Sequence, residues 1–238
     1  MRPYDPKLLL IGIHIPKCAG SSMKQVLRRW FGRNIHWHFY DEARNLPPRP
    51  YRPSKFNRLL TQVTGRVTCI YGPFNRQRGF GVEEYYPTAQ QFFTVVRDPL
   101  KTALSRYFYA KQQGLSRMHA GIPAPISANY ASVDDFIADQ LHLPYLVNYL
   151  PGPLTLGNYA DVFAARFVYV GIAEDLQTSV DQLAERLGFA SVPVPHVNTS
   201  KHDETLDPAL AADFVASRPL EYAIYHYALE HYRDVPST

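Results

Sequence analysis

The segment that most limits what this chain can become is Leu8-Leu-Leu-Ile-Gly-Ile-His-Ile15 and the Pro16-Lys-Cys-Ala-Gly-Ser-Ser22 that follows it. A nearly continuous apolar run of that length suits a strand covered on both faces, which is the situation of a strand inside a parallel sheet. From Gly20 to Phe31 the spacing becomes helical, with Met23, Val26, Leu27 and Trp30 recurring on one side and Lys24, Arg28 and Arg29 elsewhere. The pattern returns at Phe92-Phe-Thr-Val-Val96, where Arg97-Asp98-Pro99 offers an N-cap and a proline at the first helical position, and Ala103, Leu104, Tyr107 and Phe108 supply a buried stripe. Further strands are expected at Asn34–Tyr40, Val67–Tyr71 and Phe167–Val170. Leu176, Val180, Leu183 and Leu187 predict a helix stopped at Gly188, and Tyr222, Tyr225, Leu229 and Tyr232 share one face of a C-terminal helix from Pro219. Leu46–Ser54 and Gly114–Asn129 read as loops. Alternating strands and helices make the expected fold α/β, a parallel sheet with a P-loop-like first turn, flanked by helices. Residues 1–238 form a single domain that collects ligands at the carboxyl ends of its strands.

Composition narrows the choice of partner. With 46% hydrophobic residues in 238 the chain can bury a sizeable core, and no apolar run approaches the roughly 20 residues that cross a bilayer. The opening Met-Arg-Pro-Tyr-Asp-Pro-Lys has no secretory pattern, so residence in the cytoplasm is expected, with Cys18 and Cys69 as reduced thiols. Residues 1–120 hold 20 Lys and Arg against 6 Asp and Glu, whereas residues 121–238 hold 5 against 15. Folded around one site, the basic half would concentrate polyanions; the alternative is solvated surface charge.

Two segments carry the chemistry. A loop between a buried strand and a helix aims free N–H groups and the positive end of the helix dipole at whatever lies above it, so Pro16, Lys17, Cys18, Ala19, Gly20, Ser21 and Ser22 form a candidate cradle for phosphate or sulfate. It is not the nucleoside-triphosphatase loop, in which lysine directly precedes Ser or Thr; Lys17 stands three residues before Gly20. In the second segment Arg97 leaves a strand and Ser105 lies about two helical turns on, nearly on the same side, so a guanidinium and a hydroxyl can meet on one phosphate. A salt bridge is the alternative use of Arg97.

His14-Ile-Pro-Lys-Cys-Ala-Gly-Ser-Ser22 and Arg97-Asp-Pro-x(5)-Ser105-Arg-Tyr107 together resemble the sulfotransferases that use 3′-phosphoadenosine 5′-phosphosulfate (PAPS), in particular the carbohydrate branch with the heparan sulfate and uronyl 2-O-sulfotransferases. Val170-Gly-Ile-Ala-Glu-Asp-Leu176 is similar to a third family element, with Ala173 in place of threonine. Val197-Asn-Thr-Ser-Lys201 is similar to a loop that closes over the nucleotide, which brings in Ser200 and Lys201. The resemblance implies transfer of a sulfuryl group from PAPS to a hydroxyl of an anionic or neutral carbohydrate. It implies no metal and no nucleic acid, with Lys17 stabilising the leaving phosphate and Ser22 alongside.

The base departs from the family. The 2-O-sulfotransferases place a histidine after a glycine at the end of the strand preceding R-D-P, but Tyr71-Gly72-Pro73-Phe74 occupies that stretch. Alternation over Asn34–Glu42 puts His36 and His38 on one face, making His38 the expected base or acceptor contact, with His36 and Glu42 as the other candidates. Tyr71 would need a much lowered pKa. Arg76 and Arg78 either bind an acceptor anion or are solvated. His226, Glu230 and His231 lack the i, i+4 histidine spacing of a helical zinc pair and are not expected to hold metal. Three other readings compete: a kinase-like enzyme, which needs a magnesium site; a nucleotide-binding protein without catalysis; and a polyanion-binding module.

Overall fold

The computed structural model describes residues 1–41, 44, 46–52, 68–112, 130–195 and 204–233. Five parallel strands, β1 (Leu10–Ile13), β2 (Ile35–Trp37), β3 (Cys69–Gly72), β4 (Gln91–Val96) and β5 (Phe167–Ile172), lie in the order β2-β3-β1-β4-β5. All but β2 are buried along their whole length, which explains why their sequences are apolar rather than alternating. After β1 the chain moves outward on one side to β2; after β4 it moves to the other side, to β5. The carboxyl ends of β1 and β4 therefore flank the point where connections diverge, the usual place for a ligand crevice in an open α/β sheet.

The helices are α1 (Gly20–Phe31), the single turn α2 (Val82–Tyr85), α3 (Pro99–Gln112), α4 (Val133–Gln140), α5 (Tyr159–Arg166), α6 (Leu176–Leu187), α7 (Pro208–Ala216) and α8 (Pro219–Arg233). One face of the sheet packs Leu10, Tyr71, Phe93 and Tyr169 against Met23, Val26 and Leu27 of α1 and Val180 and Leu183 of α6. The other packs Ile11, Ile70, Phe92 and Val170 against Phe163 of α5 and Ile224 and Ala228 of α8. Each such Leu, Ile or Phe contributes about 1.5–3 kcal/mol by leaving water. Helices α3, α4 and α7 build a smaller cluster around Tyr107, Phe108, Phe136 and Phe214 beyond the sheet's carboxyl edge. Among the described residues no helix is long and apolar enough to cross a membrane.

Two details go beyond the expected pattern. The core-facing stripe of α8 is Glu221, Ile224, Tyr225 and Ala228, spaced i, i+3, i+4, i+7; of the expected face Tyr225 belongs to it, Leu229 packs partly buried against the same core, Tyr222 is half-buried, and the side chain of Tyr232 lies outside the described residues. Gly12, in the middle of β1, is obligatory, since a Cβ there would meet the ring of Phe93 at 2.3 Å and that of Tyr71 at 2.6 Å, both register neighbours.

Candidate functional site

The β1–α1 loop is held in an uncommon backbone shape. Lys17 and Ala19 both have positive φ, 70° and 58°, without being glycine. Such residues cost about 1–2 kcal/mol each and persist only where their surroundings hold them. Here the holds are visible. The Cys18 N–H donates to the Ile15 carbonyl at 3.2 Å, and the His14 N–H donates to the Gly72 carbonyl at 2.9 Å. Gly20 lies against the His14 ring so tightly that a Cβ would sit 1.9 Å from it. Ala19 is the N-cap of α1 and supplies no side-chain cap, and the first turn holds no acidic residue. The first N–H groups of a twelve-residue helix thus face the crevice with no capping side chain of their own, an arrangement that favours an anion.

Lys17 and Arg97 converge on this loop. The Arg97 guanidinium donates from Nη1 to the Lys17 carbonyl at 3.4 Å, so the residue after β4 reaches the residue after β1. Lys17 Nζ rests 3.6 Å above the Tyr109 ring of α3. Burial first, and then the neighbouring Arg97 charge, push Lys17 down to about 8. Among the described residues no carboxylate pairs with either cation. Glu174 accepts the Asp98 N–H at 3.1 Å, while Asp98 caps α3 through the Lys101 N–H at 2.8 Å. The salt-bridge reading of Arg97 is therefore not realised among the described residues. Ser105 is buried on α3, and Pro16 accepts a hydrogen bond from Tyr145 Oη at 3.5 Å.

Other expected loop contributions resolve unequally. Cys18 is buried with Sγ 3.8 Å from Thr102 Oγ1, and burial pushes its thiol up to about 12, so it packs and does not react. Ser21 is exposed. The Ser22 hydroxyl gives its proton to the Pro195 carbonyl at 3.0 Å, which leaves its backbone N–H, not its side-chain donor, for an anion. Ser200, Lys201 and Glu42 lie outside the described residues. The residues flanking Ser200 and Lys201 are anchored: Pro195 to Ser22 of α1, and Glu204 to α3 through Tyr107 at 3.0 Å and Lys111 at 2.6 Å.

The histidines face as the alternation predicts. His36 and His38 turn to the same side of β2, His36 to the Arg49 carbonyl at 3.0 Å and His38 to Tyr86 Oη at 3.3 Å. What alternation does not reveal is the covering: His38 is 0% exposed, stacked on Phe74 at 4.6 Å and capped edge-on by Tyr85 at 4.5 Å. Burial lowers it to about 4, so it is a neutral imidazole, and its Nε2 has no partner among the described residues. Tyr71 is buried with Oη 3.3 Å from His14 Nδ1, and burial raises its phenol far above the usual value, so it does not act as base. His14 itself is lowered to about 3. Arg76 donates to the Val147 carbonyl at 3.0 Å and Arg78 lies over the rings of Tyr40 and Phe80. His226 is exposed and His231 stacks on Tyr227 at 3.9 Å.

No protein-family model matches the chain, and no curated protein does. Among solved structures it is similar to a sulfotransferase from Alicyclobacillus acidocaldarius, with 16% identity and a TM-score of 0.48 over 95% of this chain and 98% of that one. A likeness that distant bears on neither activity nor substrate.

Proposed function

We propose that this protein is a PAPS-dependent sulfotransferase acting on a hydroxyl of a carbohydrate. The observation that carries the reading is the corner shared by Lys17 and Arg97, two cations without a carboxylate partner among the described residues, beside an uncapped helix start at the divergence point of the sheet. Two like charges held together inside a fold oppose one another, and an anion between them relieves the opposition. The phosphosulfate lies on the loop from Pro16 to Ser22, and the 3′-phosphate lies between Arg97 and Ser105. Ser200 and Lys201 add donors from the segment between the two anchored flanks.

Transfer is an in-line displacement. The bond from sulfur to the phosphate oxygen breaks as a bond from sulfur to the acceptor oxygen forms. The acceptor proton passes to a base, and adenosine 3′,5′-bisphosphate leaves. Lys17 and the loop N–H groups meet the charge that grows on the departing phosphate, the kind of donor whose loss costs about 100- to 1000-fold in rate. His38 is the proposed base because it keeps an unengaged ring nitrogen, and reaching it requires the Tyr85 ring to turn away. A second reading, nucleotide binding without transfer, draws on the complete enclosure of His38.

Calorimetry with adenosine 3′,5′-bisphosphate, followed by transfer of labelled sulfate from PAPS to a panel of glycans, tests both. Binding with transfer supports the enzyme; binding without transfer to any glycan leaves the second reading, and no binding ends both. The His38→Ala variant is expected to lose turnover and keep its affinity for the bisphosphate; unchanged turnover removes His38 from the role.

A further inference from the structure

Beside the anion loop lies a closed circuit of contacts joining four parts of the chain. On α3, Arg106 follows Ser105 directly and donates from Nη1 to Gln140 Oε1 at 3.3 Å. The Gln140 carbonyl accepts from Arg218 Nη2 at 2.5 Å, and Arg218 Nη1 pairs with Glu221 Oε2 at 2.8 Å. Arg218 and Glu221 are 5% and 3% exposed, so this is a buried ion pair. Glu221 Oε1 then accepts the N–H groups of both Tyr145 and Leu146, each at 2.5 Å. Tyr145 closes the circuit: its ring lies under the Arg106 guanidinium at 3.9 Å, and its hydroxyl donates to the Pro16 carbonyl at 3.5 Å. A cavity of about 10 Å³, room for one water, lies among Ile15, Cys18, Thr102, Arg106, Tyr145 and Glu221.

The geometry points to Tyr145, locked by the Arg218–Glu221 pair, as a positioning residue that sets the distance between the loop carrying Lys17 and the helix carrying Ser105. Its ring touches the residue next to Ser105, and its hydroxyl touches the residue next to Lys17. It reaches both from a segment that belongs to neither, beside the direct contacts of Cys18 with Thr102 and of Lys17 with the Tyr109 ring. Glu221 fixes the backbone of Tyr145 itself, which keeps a tyrosine on an irregular segment from drifting. The inference rests on the reading that one nucleotide spans both anion elements, because only a ligand with two anionic groups reports the spacing between them.

The test compares two nucleotides by calorimetry: adenosine 3′,5′-bisphosphate, which engages both elements, and adenosine 5′-phosphate, which engages one. In the unmodified protein the bisphosphate is expected to bind more tightly; equal affinities would defeat the two-element reading itself. Tyr145→Phe keeps the ring over Arg106 and removes the bond to Pro16, and it is expected to shrink the bisphosphate's advantage about fivefold, with monophosphate affinity and melting temperature nearly unchanged. Glu221→Gln is expected to shrink it further, at a lower melting temperature. An unaltered advantage in Tyr145→Phe, or equal weakening of both nucleotides, overturns the positioning role. An unaltered advantage in folded Glu221→Gln overturns the part given to the ion pair.

Discussion

Two pairs of charged residues lie within one neighbourhood of this molecule and differ in every respect that matters. Arg218 and Glu221 are buried, matched in sign, and bonded to backbone groups of Gln140, Tyr145 and Leu146. Lys17 and Arg97 are half-buried, alike in sign, and without a carboxylate among the described residues. The first pair's charges are neutralised within the protein, so removing one member leaves the other stranded. The second is completed only from outside, so removing one member relieves the fold and harms the ligand. Charge arranged for architecture and charge arranged for binding can be told apart by asking who neutralises it.

Substitutions can break that contrast. Glu221→Ala should be the most damaging, since an unpaired arginine left in the interior typically costs about 3–5 kcal/mol; denaturant unfolding measures it. Lys17→Ala should do the reverse: turnover falls about 100- to 1000-fold while the unfolding midpoint holds or rises, because a disfavoured charge has gone. Arg97→Ala should weaken adenosine 3′,5′-bisphosphate by about 10- to 100-fold in calorimetry, the loss of one or two charge-assisted bonds. The smallest effect is on pH. Lys17 sits below its ordinary value, so it sheds its proton as pH rises through about 8, whereas a bound anion favours the charged form. Bisphosphate affinity should therefore be full near pH 7 and about tenfold lower at pH 9, and Lys17→Ala should flatten the profile.

Much of the fold was legible because it rests on local periodicity. Met23, Val26 and Leu27 gave α1 its face, and Asp98-Pro99 announced α3 by cap and fixed φ. The same cap signal stands at Asp207-Pro208, where the Asp207 side chain accepts from Ala209 and Leu210, yet the sequence reading passes over α7; its stripe is short, Leu206, Leu210 and Phe214, and most of its other residues are exposed. The helix α5 has no capping side chain and buries only Phe163, so no local signal marks it. In the site, Lys17 and Arg97 could be found from strand–loop–helix order. The enclosure of His38 could not, since its walls come from Phe74 and Tyr85, far along the chain and on no regular face. Glu221 lay hidden for a similar reason: a carboxylate amid the aromatic residues of α8 reads as the wet side of a helix until Arg218 and the Tyr145 backbone are placed against it.

The ring of His14, wedged against Gly20 under the start of α1, has a further bearing. An imidazole is the side chain that most often makes a protein answer to mild acid, but this one is driven down to about 3 and stays uncharged throughout the range in which cells live. The imidazole beneath the loop thus adds no charge on mild acidification, and the titration that the loop does feel lies on the alkaline flank, where Lys17 gives up its proton.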